Sequence, residues 1–184
     1  MWDSINTSTL GGLVVQEKVE KGFLYDRIIK LDNNMEILDI DNSINFAVVT
    51  RDNYLILAKQ YRPTIGRSDI NLFGGYIDKE ESAFGAIIRE LKEETNIDEC
   101  DIHCKHIVAY EKYVSLGYTK EKNTICIIST KNNLKDLNLK CNDKKENIEF
   151  YIEKICSRTL YELQKECLGL KTLMVLQTLM NLYK

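Results

Sequence analysis

Short apolar runs separated by polar turns fill the first half of the chain. Runs rich in Val, Ile, Leu and Tyr cover residues 13–19, 23–31, 44–50 and 54–61, and Lys21-Gly22, Asp32-Asn33-Asn34 and Asp52-Asn53 separate them. Runs of this length and composition, bounded by turn formers, predict four strands. Arg62-Pro63 closes the fourth, because proline has no amide to give to a ladder and pushes its predecessor out of helical space. From about residue 82 to 95 the apolar spacing becomes i, i+4, which predicts a helix. Strands are expected again at 107–113, 123–128 and 148–155, and helices near 159–167 and 170–183. Strands first and helices late, without regular alternation, predict an α+β fold arranged as an α/β/α sandwich.

The helix at 82–95 carries the most informative pattern. Ser82 is placed to cap its first turn, since its hydroxyl can satisfy an orphan amide. Ala83, Ile87 and Leu91 form the expected buried stripe, with Phe84 and Ile88 beside it. Glu90, Glu93 and Glu94 stand at i, i+3 and i+4, so their carboxylates leave the helix on one side. Like charges so placed repel by a few tenths of a kcal/mol per pair, and Arg89 can relieve part of this through Glu93 at i+4. Three carboxylates on one face suit a hard divalent cation, and they suit a solvated acidic surface equally well.

Composition narrows the function classes. The chain has 184 residues, 44% hydrophobic and 29% charged, as expected of a globular chain with its own core. Its formal net charge is −3 and no Lys/Arg stripe gathers in one segment, so no nucleic-acid partner is expected. The start, Met1-Trp2-Asp3-Ser4, lacks the basic and apolar regions of a signal peptide. The longest apolar stretch, 168–182, is broken by Lys171, Gln177 and Asn181 and is too short for a bilayer. The expectation is a cytoplasmic protein with no membrane partner. Six cysteines without a secretory signal read as free thiols; Cys100-x-x-His103-Cys104-x-His106 is the nearest approach to a zinc cluster and lacks a second ligand pair at a definite spacing.

The segment from Gly74 to Ile97 resembles the box of the Nudix hydrolases, G-x5-E-x7-R-E-U-x-E-E-x-G-U with U aliphatic. Gly75, Glu81, Arg89, Glu90, Leu91, Glu93, Glu94 and Ile97 all fall in place. The six fixed glycine and charged positions would coincide by chance in about one chain in 10⁵. Asn96 departs from the pattern by standing at the second glycine. That position follows the helix and is expected to be left-handed, where Asn is the best replacement for Gly.

The resemblance covers most of the chain and implies a Nudix fold with a mixed sheet and the box as loop–helix–loop. It implies a Nudix domain over residues 41–184, with residues 1–40 as an N-terminal strand region for dimerisation and nucleobase contact. It implies a Mg2+-dependent pyrophosphohydrolase, with Mn2+ as a substitute metal, acting on a nucleoside diphosphate linked to another moiety. Metal ligands are then expected at Glu90, Glu94, Glu93 and the Gly74 carbonyl, and Glu81 at the start of the helix either fixes the loop or joins the metal. The catalytic residues implied are Glu90, Glu93 and Arg89, with Glu146 as the candidate loop base and Glu149 second, against the reading of 144–149 as a charged solvent loop.

Ala58-Lys59-Gln60-Tyr61-Arg62-Pro63 followed by Gly66-Arg67 resembles the segment ahead of the box in ADP-ribose pyrophosphatases, and it assigns Arg62 to a substrate phosphate. Phe23, Tyr25 and Arg27 could contact adenine from the N-terminal strands, or simply follow strand alternation. Tyr113-Val114-Ser115-Leu116-Gly117-Tyr118-Thr119 lies where such enzymes carry a Y-P-S-P-G-F-like loop, without its prolines. Asn71 and Phe73 replace the E and P of the usual E-L-P-A-G. ADP-ribose, cleaved to AMP and ribose 5-phosphate by a homodimer, is therefore the leading expectation. The alternatives are another nucleotide sugar or dinucleotide, or a non-catalytic nucleotide sensor.

Overall fold

The computed structural model describes all residues except 1–5, 11–12, 18–19, 22–26, 31–35, 104–107, 144–145 and 184. The chain forms two compact units, residues 1–42 with 111–123, and residues 43–110 with 124–184.

In the first unit β1 (Asn6–Leu10) pairs antiparallel with β2 (Leu13–Glu17), Leu10 opposite Leu13. A second antiparallel sheet runs β3 (Glu20–Lys21), β4 (Arg27–Lys30), β5 (Glu36–Asp39). The later segment joins β5: the Leu38 amide donates to the Tyr118 carbonyl at 2.7 Å. The Lys122 amide donates to the Asn42 side chain at 2.9 Å. Tyr113, Leu116 and Tyr118 are exposed and, with Asp39 and Asp41, line an open cavity of about 600 Å³. Strands β2 and β4 lie within the apolar runs at 13–19 and 23–31. Strand β1, Asn-Thr-Ser-Thr-Leu, is mostly polar and gave no such signal.

The second unit follows a simple rule of alternation. The strands of the seven-stranded sheet are β6 (Ser43–Val49), β7 (Tyr54–Arg62), β8 (Arg67–Asn71), β9 (Phe73–Tyr76), β10 (Val108–Tyr113), β11 (Lys122–Ser129) and β12 (Glu149–Lys154). The sheet order is β10-β11-β6-β7-β12, with β9 also paired to β6 and β8 to β7. Ile44, Phe46 and Val48 of β6, Ile56 and Ala58 of β7, and Cys126 and Ile128 of β11 share one apolar cluster. Ala86, Ile87 and Leu91 of α1 (Ala83–Thr95) complete it. The intervening residues Ala47, Val49, Leu55, Leu57, Ile125 and Ile127 belong to the opposite cluster. There they meet Leu160 and Leu163 of α2 (Ser157–Glu166) and Val175, Leu176 and Leu179 of α3 (Leu170–Leu182). A sheet covered by helices on both faces has no polar side, which is why its strands read as continuous apolar runs. Each large side chain so buried contributes about 1.5–3 kcal/mol. The result is an α+β sandwich, helix layer on sheet on helix layer.

Two details differ from the sequence reading. The buried face of α1 is centred on Ala86, Ile87, Leu91, Glu94 and Thr95, and Phe84 is exposed instead of lying beside the stripe. The face turns toward Glu94 as the helix proceeds, leaving the first turn to graze the core. Strands β8 and β9 were not anticipated, since Arg-Ser-Asp-Ile-Asn and Phe-Gly-Gly-Tyr have little strand propensity of their own. Ladders to β7 and β6 impose the extended form.

Candidate active site

The chain reaches the site through a tight reversal. Residues Pro63–Ile65 make one 3-10 turn, closed by Gly66 in the left-handed conformation (φ 66°). Strand β8 then returns beside β7, and β9 places Gly74 and Gly75 under the helix. Gly74 has φ 148°, and a β-carbon on it would lie 2.1 Å from the Ile44 carbonyl oxygen. At Gly75 an added β-carbon would lie 2.0 Å from Glu90 Oε1. Both glycines let backbone and carboxylates approach more closely than any side chain would permit. Ser82 caps α1, its hydroxyl accepting from the Gly85 amide at 3.0 Å.

Arg89 gathers the box. Its Nε and Nη2 reach the two oxygens of Glu81 at 3.1 and 3.0 Å, a bidentate pair. Nη1 donates to Glu90 Oε1 at 2.6 Å and Nη2 to the Tyr76 carbonyl at 3.0 Å, while Glu93 stands farther off at 3.5 Å. Glu81 also accepts from the Asp78 amide at 3.0 Å, so it fixes the loop ahead of the helix. The Arg89 hydrogen bonds, with that amide, hold the Glu81 carboxyl below its ordinary range. Bonding to Glu81 in turn makes the guanidinium still harder to deprotonate.

Glu94 and Glu90 behave differently. Glu94 is 5% exposed and its Oε2 accepts from the Gly74 amide at 2.7 Å. Burial pushes its pKa to about 8, with the charges of Glu90 and Glu146 adding to the rise and Arg62 opposing it. Burial also raises Glu90, against the pull of Arg89. Two neighbouring carboxyls that resist ionisation are what a bound cation would reverse, and their oxygens match the preference of a hard divalent ion. The residues present therefore fit such an ion. Among the described residues no three Asp, Glu, His or Cys side chains converge to hold one unaided. Glu93, with its side chain 45% exposed, stands on the solvent side of the pair.

Asn96 ends the helix with φ 62°, the left-handed cap expected of it. Its side chain does more than tolerate the conformation. Nδ2 donates to the Asn138 carbonyl at 3.0 Å, and Asn142 Nδ2 donates to Asn96 Oδ1 at 3.3 Å. The Asn142 amide bonds the Glu93 carbonyl at 2.7 Å, and its side chain bonds the Lys92 carbonyl at 3.0 Å. The last carbonyls of the box helix are thus satisfied by the segment that leads to Glu146.

Glu90, Glu93, Glu94, Arg89, Gly74, Arg62 and Glu146 all lie in the second unit. The charges of Glu90 and Glu146 raise the Glu94 carboxyl and that of Arg62 lowers it. The part of Gly74 that bonds within the box is its amide. Glu149, the second loop candidate, pairs instead with Lys59 at 3.5 Å. Phe23 and Tyr25 lie outside the described residues, as do Cys104 and His106 of the cysteine–histidine cluster; Arg27 is on β4. The described cysteines Cys100, Cys126, Cys141, Cys156 and Cys167 are free thiols. Gln60, whose side-chain amide donates to Glu146, was missed. Its signal was present: two residues before Arg62, it shares that residue's strand face. Asn142 gave no signal, because its partners lie about 50 positions away in sequence.

The NUDIX domain model matches residues 42–162. The chain belongs to the Nudix family, and the class so defined is a pyrophosphohydrolase of nucleoside diphosphates linked to another moiety. Among solved structures, an ADP compounds hydrolase superposes with a TM-score of 0.61 at 18% identity, covering 97% of this chain and 95% of that one. No curated protein sequence matches.

Proposed function

We propose that the protein hydrolyses ADP-ribose to AMP and ribose 5-phosphate with Mg2+, Mn2+ serving as substitute. The observation that carries this reading is the buried Glu94 carboxyl, 5% exposed, accepting from the Gly74 amide at 2.7 Å one helical turn beyond Glu90. Such a group is costly to keep as an anion without a cation. Magnesium held by Glu94 and Glu90 would offset the charge of the diphosphate and favour attack by water. Arg89 orients Glu90 and keeps the loop of Glu81 closed behind it. Arg62, at the exposed end of β7, offers a fork of donors to a phosphate. Glu146, on the loop ahead of β12, accepts the proton of the attacking water. Glu93, on the solvent side, is a further ligand or shares the base role.

ADP-ribose as the substrate is supported by the Gln60-Tyr61-Arg62-Pro63 segment and by the fold shared with an ADP compounds hydrolase. Residues 41–184 form the hydrolase in this reading, and residues 1–40 serve dimerisation and nucleobase contact in a homodimer. Purified protein with ADP-ribose and millimolar Mg2+ should yield AMP and ribose 5-phosphate by chromatography, and Glu94→Gln should not. Turnover of nucleotide sugars or dinucleotides in place of ADP-ribose would move the substrate to them. No turnover of any would favour a nucleotide sensor.

A further inference from the structure

Residues 138–143 and Glu146 are held at two places, and both holding residues lie outside the metal pair. At one end Asn96 Nδ2 grips the Asn138 carbonyl, and its Oδ1 accepts from Asn142. The Lys140 amide adds a bond to the Thr95 carbonyl at 3.3 Å. At the other end Gln60 donates its side-chain amide to Glu146 Oε2. Between them the segment folds on itself: the Glu146 amide bonds the Asp143 carbonyl at 3.3 Å, and the Cys141 thiol faces the Glu146 carbonyl at 3.7 Å.

We infer that Gln60 and Asn96 are positioning residues, which together hold the loop carboxylate of Glu146 in place. The inference rests on the reading of Glu146 as proton acceptor. A loop carboxylate has several rotatable bonds, and a base displaced by an ångström loses much of its effect. Gln60 is well suited to prevent this. It stands on a central strand whose Ile56 and Ala58, on the same face, are packed in the core. An amide donor also orients a carboxylate without neutralising it, as a lysine would. Asn96 sets the base of the same segment against the end of the metal helix. Glycine, the residue usual at this box position, could adopt φ 62° with less strain yet could make neither side-chain bond. The departure from the box pattern thus has a use: it ties the loop that carries the base to the helix that carries the ligands.

Asn96→Gly is a clean test, since the backbone conformation suits glycine and the fold should persist. Gln60→Met keeps the length and removes the donor. Each is measured alone and combined with Glu146→Gln, by steady-state kinetics on a substrate the wild type turns over, with Tm and Mg2+ affinity followed alongside. Glu146→Gln should lower kcat on the order of 10²-fold. Gln60→Met should lower kcat by roughly ten-fold and Asn96→Gly by a few-fold, with KM, Tm and Mg2+ affinity little changed. In the Glu146→Gln background neither should cost more than about two-fold, because nothing remains to be positioned. If Glu146→Gln is costly and the other losses simply multiply with it, the positioning roles are wrong and the base survives. If Glu146→Gln itself costs less than a few-fold, the base assignment fails and the positioning roles go with it.

Discussion

Gly75 and Glu90 are in contact in a way that admits no β-carbon: one built on Gly75 would stand 2.0 Å from Glu90 Oε1 and 2.6 Å from its Cδ. The glycine of the box is therefore a measure of how closely the backbone of β9 must pass the carboxylate that Arg89 orients. Gly75→Ala should displace the Glu90 side chain and leave the fold intact, because the obstructing atom is the far end of a flexible chain. The expected loss in kcat is on the order of 10²-fold, the effect of an ångström misplacement of a reacting group. Circular dichroism and kinetics on the same sample check it. Unchanged kcat with the alanine in place would mean Glu90 has no fixed role.

Glu94 gives the metal-free protein a characteristic pH dependence. Its pKa stands at about 8, above the ordinary 4.5, so folding favours the protonated form. Stability from this group is full below pH 4.5 and is lost as pH rises through about 8. Glu94→Gln imitates the protonated acid, and its amide oxygen can still accept from Gly74. In chelator, the Tm of wild type relative to Glu94→Gln should fall between those pH values by at least a few degrees. Added Mg2+ should remove the difference by favouring the carboxylate in wild type alone. A constant Tm difference across that range would show that Glu94 is ionised without cost.

How much of this was legible in the sequence depends on how local each feature is. Both ends of the box helix were readable, the Ser82 cap and the left-handed Asn96, because each is set within a turn; the stripe was readable at Ile87 and Leu91 but not at Phe84, which is exposed. The buried strands β6, β7 and β11 were readable as continuous apolar runs, since both of their faces are covered. Strands β8 and β9 were not, because their extended form is dictated by distant partners such as Asn45 opposite Gly74. The same holds within the site. The sequence left Glu81 between loop and metal; the pairing of both its oxygens with Arg89, eight positions on, is a contact that the fold supplies. Gln60 and Glu146, 86 positions apart, meet only once β7 and the loop are placed.

Arg62 tests the substrate side independently of the metal side. It is exposed at the end of β7, and its charge is felt by Glu94. Arg62→Ala removes the donor that the proposed function assigns to a substrate phosphate, in ground state and transition state alike, so KM should rise about ten-fold or more while kcat changes less. Arg62→Lys should recover only part, since a single ammonium cannot match the planar fork. Equal losses in kcat and kcat/KM, with KM untouched, would instead assign Arg62 to the transition state alone.

Arg89 should prove the least replaceable residue of the box, even by lysine. Its guanidinium spans Glu81, Glu90 and the Tyr76 carbonyl at once, at 2.6 to 3.1 Å. An ammonium can occupy one of these directions but cannot present a parallel pair to Glu81 and a third bond to Glu90 together. Arg89→Lys should therefore free either the loop before the helix or the Glu90 side chain. The first would show as a loss of about 1–3 kcal/mol in urea unfolding, from charge-assisted bonds left unmade. The second would show as lowered kcat and weakened Mg2+ binding at nearly unchanged stability. Glu81→Gln separates the two, since it weakens the loop anchor and leaves Glu90 its arginine. If Glu81→Gln reproduces the whole effect of Arg89→Lys, the arginine serves the loop. If it reproduces only the change in stability, the remaining loss of activity belongs to the orientation of Glu90.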